Sequence, residues 1–381
     1  MFFVERIPSK IQLKHQVVAL GSDTHQRISW AKNGRIFSLQ PKKDFLSLED
    51  FYNSAAEFLL KKYKVNPVLL SFDPHPLFVS NQQAASLREK YFPKAKLQPV
   101  FHHVAHLANF GIEVGCLKNF IGVAFDGTGY GSDGRVWGGE FFLFKHSLFK
   151  REAHLKYQLL PGNEAAIWEP WRIAFSILYQ IYSKDIFHMK LDFLKNVQRK
   201  DLDLVCQMIE KKFNAPMTSS AGRLFDAVSA LLNIKTKVKK EAEAAVALEK
   251  VADCYKGKTD AYPFDIEKKE NMLIVDFTPM FKQMVKELRL KKDVSEMASR
   301  FHTTLACAIG SVCARLEKKY AVNNVFFSGG VFMNNLLKKE IQHVFQRRKN
   351  VSLFLSKCPT TTDLGISQGQ IAACFMERLC A

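Results

Sequence analysis

FIGVAFDGTGYG, the stretch from Phe120 to Gly131, decides the fold class because an apolar run ends in a carboxylate followed by three closely spaced glycines. A short apolar run bounded by glycine predicts a buried strand, and glycines let the backbone approach phosphate oxygens closely. The carboxylate of Asp126, at the end of such a strand, can reach a cation just beyond it. The alternative is a glycine-rich hairpin in which Asp126 is an ordinary turn residue. The stretch therefore predicts either a nucleotide-binding turn or a plain hairpin.

Two other parts of the chain repeat this strand and turn. Gln16–Ser22 (QVVALGS) ends at a glycine turn, and Asn324–Asn334 (NVFFSGGVFMN) runs from an apolar strand through two glycines into a predicted helix. A helix amino terminus carries partial positive charge and free amides, which suit a phosphate. Strands and helices alternate between these units. We therefore predict an α/β protein with a duplicated nucleotide-binding lobe whose turns converge on one cleft.

Two histidines stand four residues apart in VFHHVAH, which runs from Val100 to His106. Residues i and i+4 lie on one face of a helix, so His102 and His106 can direct two imidazoles at one point, while His103 faces elsewhere. Two imidazole nitrogens make half of a site for a divalent transition metal. Surface or core histidines remain the alternative.

The chain from about 153 to 300 is predicted to be mainly helical. One of its helices gathers Gly222, Asp226 and Ser229 on the side opposite an apolar face. A smooth polar surface of this kind suits a ribose or a purine, although a solvated helix face has the same pattern. Near the carboxyl end, Asp363 precedes the last predicted helix, where it is either an N-cap or a ligand.

Composition narrows the class of protein. The 381 residues are 47% hydrophobic and carry a formal net charge of +18, which allows two lobes and attracts nucleic acid, an acidic protein or an anionic substrate. The eight cysteines are scattered without any C-x-x-C pair, which argues against a zinc ribbon or a disulfide framework and for reduced thiols in the cytoplasm. No signal peptide or membrane-spanning run is present. We therefore predict a soluble cytoplasmic protein.

Six longer motifs together resemble one known family, the C-terminal carbamoyltransferase region of the hydrogenase-maturation protein HypF. They occur in the family's order: HHVAH, FDGTGYGSDGRVWGGEF, LPGNEAAIWEPWR, TSSAGRLFDAVSALL, FSGGVFMNN and TTDLGISQGQ. The resemblance, which covers nearly the whole chain, implies an α/β fold of the duplicated actin-like ATPase (ASKHA) kind, with two lobes around a nucleotide cleft. The implied parts are an N-terminal lead (1–13), a first lobe (14–117) and a second lobe (118–381) with a mainly helical insertion at about 153–300.

The resemblance also implies the site residues. The metal ligands would be His102, His106, Asp126 and Asp363. Two imidazoles with two carboxylates suit Fe or Zn, and Mg²⁺ is a further candidate beside the nucleotide. The residues that hold the adenylate would be Gly127, Thr128, Gly129, Gly222, Asp226, Ser328, Gly329, Gly330 and Asn334. Arg172 and Arg223 would be the catalytic partners of the phosphate or carbamoyl group.

The family transfers a carbamoyl group from carbamoyl adenylate to the C-terminal cysteine of its partner HypE, in synthesis of the cyanide ligand of NiFe hydrogenases. Full-length members also carry acylphosphatase, zinc-finger and YrdC-like domains, which this sequence lacks, so we expect separate YrdC-like and acylphosphatase proteins to supply the carbamoyl adenylate. We expect neither nucleic acid nor a membrane as a partner. The alternatives are an enzyme like the tRNA threonylcarbamoyladenosine synthases, an O-carbamoyltransferase acting on a small metabolite, and a non-catalytic binding subunit.

One departure from the family lies in KEAEAA, from Lys240 to Ala245. Alanine at position 242 stands where the family usually has a glycine. We expect this position to approach the ligand.

Overall fold

The computed structural model of the protein describes residues 2–10, 13–43, 45–115, 119–146, 148–346, 348, 350–355 and 362–376. Within these ranges, no helix combines the length and the apolar character needed to cross a lipid bilayer.

The amino-terminal lobe is a six-stranded sheet covered by helices. Its strands are β1 (Phe2–Ile7), β2 (Val17–Ala19), β3 (Ile28–Lys32), β4 (Arg35–Pro41), β5 (Leu69–Phe72) and β6 (Lys96–Pro99). Its helices are α1 (Leu48–Tyr63), α2 (Val79–Tyr91) and α3 (His102–Val114). Helix α1 begins at an N-cap, since the side chain of Ser47 accepts a hydrogen bond from the Asp50 amide.

The second lobe is built on a nine-stranded sheet. Its strands are β7 (Phe120–Tyr130), β8 (Val136–Lys145), β9 (Leu148–Leu155), β10 (Gln158–Leu159), β11 (Met217–Thr218), β12 (Asp265–Lys269), β13 (Met272–Asp276), β14 (Asn324–Ser328) and β15 (Ser352–Leu355). Its helices are α4 (Ala165–Trp168), α5 (Trp171–Tyr182), α6 (Arg199–Lys211), α7 (Ala221–Leu231), α8 (Glu243–Cys254), α9 (Thr278–Arg289), α10 (Val294–Tyr320), α11 (Asn335–Phe345) and α12 (Ile366–Met376). Short 3₁₀ turns cover Ser183–His188, Asp192–Leu194, Gly330–Met333 and Asp363–Gly365.

The two lobes repeat one topology. The first contains the strand order β4-β3-β2-β5-β6 and the second the order β9-β8-β7-β14-β15. In both, the first three strands are antiparallel and the last two run parallel to the third. Along the chain, helix α2 connects β5 to β6 just as α11 connects β14 to β15. Helices α3 and α12 each follow the last strand of their sheet. The predicted duplication is therefore confirmed.

Helices α3 and α12 pack against each other where the lobes meet. The approach is so close that a Cβ atom on Gly369 would lie 1.9 Å from the carbonyl oxygen of Ala105. Beside this contact, Gln370 accepts a hydrogen bond from the Gly21 amide at 2.9 Å and donates one to the Gly21 carbonyl at 3.2 Å. The packing brings the start of α3, the middle of β7 at Asp126 and the turn before α12 to one point.

The segment between β9 and β14 is mainly helical, as predicted from the sequence, but it also contains the hairpin of β12 and β13. Strand β13 pairs in parallel with β9, so the hairpin extends the second sheet. Apolar residues of α5, α7, α9 and α10 form a continuous core against this sheet. The insertion thereby supports α7, whose amino end faces the irregular part of β7 at Asp126 and Gly127.

Candidate active site

Helix α3 directs two imidazoles toward one point. The side chains of His102 and His106 are buried, and their Nε2 atoms lie 3.1 Å apart. Two ring nitrogens this close need a proton or a cation between them, since two lone pairs repel. The i, i+4 spacing of the two histidines therefore brings their Nε2 atoms to one point, as the sequence predicted.

Two carboxylates complete the cluster. The Oδ2 atom of Asp126 lies 2.8 Å from Nε2 of His106, and Oδ1 of Asp363 lies 3.2 Å from Nε2 of His102. The four ligand atoms all lie within 4.8 Å of one another. Ligands about 2.0–2.1 Å from a tetrahedral ion are about 3.3 Å apart. The cluster therefore has the size and the donor atoms that fit a divalent transition metal.

Hydrogen bonds from neighbouring groups determine which atoms of His102 and Asp126 face the centre of the cluster. The Oδ2 atom of Asp73, directly after β5, lies 3.2 Å from Nδ1 of His102. Because a carboxylate only accepts, Nδ1 carries the hydrogen and Nε2 is left for a metal. The amides of Gly127 and Gly330 donate to Oδ1 of Asp126 at 2.8 and 3.3 Å. Oδ2 of Asp126 is thereby free to face the imidazoles.

The electrostatics of the cluster also favour a cation. Burial lowers the pKa of His102, but the carboxylates, led by Asp363 and Asp126, hold this pKa well above its ordinary value. Burial raises the pKa of Asp126, yet hydrogen bonds from both histidines keep it below its usual range. Buried carboxylates stay charged only beside positive charge. A metal ion would supply that charge without protonating its ligands.

Asp73→Asn should weaken binding of zinc about 10-fold to 100-fold, the usual cost of losing an outer partner of a metal-bound histidine. The amide keeps the shape of the carboxylate but removes the charge that orients and polarises His102. The measurement is a competition titration with a metal-binding dye, and thermal melting checks folding. Asp192→Asn, at an exposed ion pair with Lys195, is the control. An unchanged zinc affinity in Asp73→Asn would contradict the orienting role.

A cleft of about 470 Å³ opens beside the cluster, and both Asp126 and Asp363 line it. This volume lies within the range of small-molecule sites and suits a nucleotide. Seven residues that the sequence predicted for the adenylate or its phosphate also line it: Gly127, Thr128, Gly222, Arg223, Asp226, Gly330 and Asn334. The structure thus brings most of the predicted nucleotide residues next to the predicted metal ligands.

Two buried side chains in the cleft keep unused hydrogen-bonding capacity. Nε of Arg223 lies 2.9 Å from Oδ2 of Asp226, but neither atom has a hydrogen-bond partner among the described residues. Burial raises the pKa of Asp226, while the Arg223 guanidinium opposes this shift. Buried polar groups without partners are costly. Their presence in the cleft wall fits a polar ligand that would satisfy them.

Three predicted adenylate residues lie outside the cleft lining but support it. The buried hydroxyl of Ser328 donates to the carbonyl of His106 at 2.9 Å, which ties α3 to β14. Gly329 has φ of 104°, and a Cβ atom there would lie 2.2 Å from the carbonyl oxygen of Phe125. At Gly129 a Cβ atom would collide with the buried imidazole of His103 in α3. Each position thus holds two elements at close approach.

The two predicted arginines are separated. Arg223 is buried in the cleft wall, whereas Arg172 is not among the residues that line the cleft. The Nε of Arg172 instead donates to the carboxylate of Glu169 at 2.6 Å, three residues earlier on the chain. Arg223 is therefore the arginine placed to meet a ligand.

Two supporting residues were missed in the sequence. The Oγ of Ser220 lies 2.8 and 2.7 Å from the carbonyl oxygens of Asp126 and Gly127, and it also caps α7 by accepting from the Arg223 amide. Capping was predictable from a serine before a helix, but the contact of this serine with the irregular part of β7 was not. Asp73 carried a partial signal, because it directly follows an apolar strand. Its partner on α3 is visible only in the folded chain.

Ala242 lines the cleft in the left-handed conformation, with φ of 59°. A side chain in this conformation costs about 1–2 kcal/mol, and the family glycine would avoid that cost. The departure noted in the sequence is therefore a strained position at the cleft wall.

Ala242→Gly should raise the free energy of unfolding by about 0.5–1 kcal/mol, because relief of strain exceeds the added entropy of the unfolded chain. Urea unfolding measures this. Ala321→Gly, at the exposed left-handed end of α10 with φ of 53°, is the matched control and should gain a similar amount. Only the change at 242 should alter nucleotide affinity. A loss of stability in both variants would show that strain is not the dominant effect.

Comparisons with known proteins show which family the chain resembles. Residues 12–113 match the family described as "HypF Kae1-like domain", and residues 122–370 match "Carbamoyltransferase, Kae1-like Domain, second subdomain". The probable carbamoyltransferase HypF of Methanocaldococcus jannaschii is 29% identical over 385 residues, which cover 99% of this chain and 48% of that protein. Carbamoyltransferase HypF of Synechocystis is 29% identical over 390 residues, covering 98% of this chain and 48% of that protein. The chain thus spans about half the length of these curated relatives.

A solved structure extends the likeness to three dimensions. The crystal structure of full-length HypF in the phosphate- and nucleotide-bound form matches with a TM-score of 0.85 and 30% identity, over 99% of this chain and 58% of that one. The duplicated α/β topology that was predicted is therefore confirmed, and the chain shares its fold with HypF. Both the sequence and the fold place this chain in the family of HypF Kae1-like carbamoyltransferase domains.

Proposed function

We propose that the chain transfers a carbamoyl group from carbamoyl adenylate to a thiol, the C-terminal cysteine of a HypE-like acceptor, during maturation of NiFe hydrogenases. The observation that supports this most is a cluster of two imidazoles and two carboxylates at the edge of a cleft large enough for a nucleotide. Relatives named carbamoyltransferase HypF support the choice of the carbamoyl group.

The reaction needs no further reactant. The acceptor sulfur, as a thiolate, attacks the carbamoyl carbon, and a carbon–sulfur bond forms. The bond between that carbon and the phosphate oxygen breaks, and AMP leaves with the electron pair. The products are a thiocarbamate and AMP. Because the donor is an activated mixed anhydride, the protein mainly has to orient it, exclude water and offset charge.

The metal ligands in this proposal are His102, His106, Asp126 and Asp363. A divalent metal bound there would supply Lewis acidity toward an oxygen of the donor. The glycines at 127, 222 and 330 let the backbone lie close to the donor. Asp226 accepts a hydrogen bond from a ribose hydroxyl, and Arg223 offsets the charge of the phosphate as AMP leaves. These roles use the Arg223–Asp226 ion pair of the cleft wall.

Arg223→Gln should lower kcat/KM for carbamoyl transfer about 10-fold to 100-fold, the cost of losing a charge-assisted contact. Steady-state kinetics with synthetic carbamoyl adenylate measures it. Arg172→Gln, whose guanidinium is held by Glu169, should stay within about 3-fold of the unaltered chain. Equal losses in both variants would contradict the assignment of Arg223 as the phosphate partner.

Supply of the donor is a separate part of the proposal. Both family matches fall on the Kae1-like part of the relatives, and this part only consumes carbamoyl adenylate in the scheme above. A YrdC-like and acylphosphatase activity therefore provides the donor. Adding such a protein should let the chain use carbamoyl phosphate and ATP, and turnover of these compounds by the purified chain alone would contradict it.

The deciding experiment offers the chain synthetic carbamoyl adenylate and a peptide that ends in the HypE-like cysteine. Mass spectrometry should detect a carbamoyl group on the peptide, and chromatography should detect AMP. A peptide ending in serine tests an O-carbamoyl acceptor, and tRNA tests the class that the charge of +18 suggests. Transfer to serine or tRNA but not to cysteine would overturn the proposed acceptor, and AMP release without any carbamoylated product would overturn the transferase proposal.

A further inference from the structure

A histidine that the mechanism does not use lies behind the cleft wall. His302, in α10, is fully buried against the rings of Phe225 and Phe301. Nδ1 lies 2.8 Å from the carbonyl oxygen of Ala298, and Nε2 lies 3.1 Å from Nδ2 of Asn334. Both ring nitrogens therefore have a partner, and one of these partners belongs to the cleft.

The contacts define the state of this imidazole. A carbonyl oxygen only accepts, so Nδ1 of His302 carries the hydrogen. Burial lowers the pKa of His302 to about 4, although the Ala298 carbonyl opposes the shift, so the ring is neutral at physiological pH. Nε2 is then an acceptor and cannot donate. The atom of Asn334 that faces it must be the amide nitrogen.

The orientation of Asn334 follows from this chain of contacts. Its Oδ1 accepts a hydrogen bond from the Leu337 amide at 2.8 Å and caps α11. Its Nδ2 gives one hydrogen to His302 and keeps a second one. Asn334 lines the cleft and is 9% exposed. The second Nδ2 hydrogen is therefore available to an acceptor atom of a bound ligand.

We propose that His302 is a positioning residue, which orients the Asn334 amide so that the cleft offers a hydrogen-bond donor to the nucleotide at this point. This inference rests on the proposed function, because it assumes that the cleft holds an adenylate. It deepens that function because it states which kind of ligand atom, a hydrogen-bond acceptor, the cleft binds next to Asn334. An acceptor atom of the ligand is favoured, and a donor at the same place is rejected.

Two substitutions test the contacts of the two imidazole nitrogens of His302 separately. In His302→Gln the terminal amide oxygen can take the place of Nε2 and accept from Asn334. In His302→Asn the shorter amide can reach the Ala298 carbonyl, in the place of Nδ1, but not Asn334. Calorimetric titration with AMP should give an affinity within about 3-fold of the unaltered chain for His302→Gln, and about 5-fold to 10-fold weaker binding for His302→Asn. Thermal melting of both variants checks that the fold is kept.

A double-mutant cycle tests whether the effect passes through Asn334. In an Asn334→Ala background, His302→Asn should cause no further loss of AMP affinity. Equal AMP affinities for the two His302 variants, or full additivity in the cycle, would overturn the inference.

A parallel measurement of carbamoyl transfer distinguishes failure of the His302 inference from failure of the proposed function. AMP binding with the expected pattern but no transfer would reject the transferase and leave the role of His302 intact. Transfer with an unchanged His302→Asn variant would reject the inference alone. A chain that binds no AMP would reject both.

Discussion

His106→Ala should abolish metal binding at the proposed site and lower carbamoyl transfer by more than the 10-fold to 100-fold typical of an outer-shell change. The substitution deletes one of four ligand atoms, the Nε2 that lies 2.8 Å from Asp126 and 3.1 Å from Nε2 of His102. It also leaves two partly buried carboxylates near each other with less positive charge between them. Metal content by mass spectrometry of the purified protein and steady-state kinetics measure the two effects.

The control for this prediction is His188→Ala, since His188 is exposed at the end of a 3₁₀ turn. That variant should keep both metal and activity. Dialysis of the unaltered chain against a chelator should reproduce the defect of His106→Ala, and added Zn²⁺ or Fe²⁺ should restore only the unaltered chain. Full metal content in a folded His106→Ala variant would contradict the assigned ligand set.

Gly369→Ala should lower the free energy of unfolding by about 3 kcal/mol, at the upper end of the usual cost of overpacking. The added Cβ would lie 1.9 Å from the carbonyl oxygen of Ala105, and this neighbour is backbone that cannot rotate away. Helices α3 and α12 would have to separate. Because α3 carries both proposed histidine ligands and α12 follows Asp363, metal affinity should fall together with stability. Urea unfolding and a zinc titration measure the two quantities.

Gly310→Ala in α10 is the matched control, because it is also a glycine within a helix. There the new Cβ would meet Cγ1 of Val344 at 2.5 Å, a side-chain tip that can move, and helix propensity favours alanine by about 1 kcal/mol. We expect its free energy of unfolding to stay within about 1 kcal/mol of the unaltered chain. If Gly369→Ala were as stable as Gly310→Ala, helices α3 and α12 would be able to move apart at little energetic cost, which would contradict the prediction.

The local pattern of the sequence was sufficient for the elements that carry the site. Apolar runs predicted the strands that reach Asp126 and Gly329, and the spacing of His102 and His106 predicted one helical face. These features depend on the periodicity of strands and helices, which involves only neighbouring residues. The predicted glycine turn after Asp126 is instead an irregular part of β7, which continues to Tyr130. The joining of two carboxylates to the two histidines depended on the family resemblance, since Asp126 and Asp363 are 237 positions apart in the numbering.

The tertiary structure alone decided which partners meet across the fold. Asp73 orients His102, and Ser220 binds the backbone of β7 at Asp126 and Gly127, because separate elements converge at the contact between the lobes. It also separated two arginines that look alike in the sequence, since only Arg223 lies on the helix face toward the cleft while Arg172 is held by Glu169. Local periodicity predicts which face a residue occupies. The group opposite that face is set by the packing of elements distant in the chain.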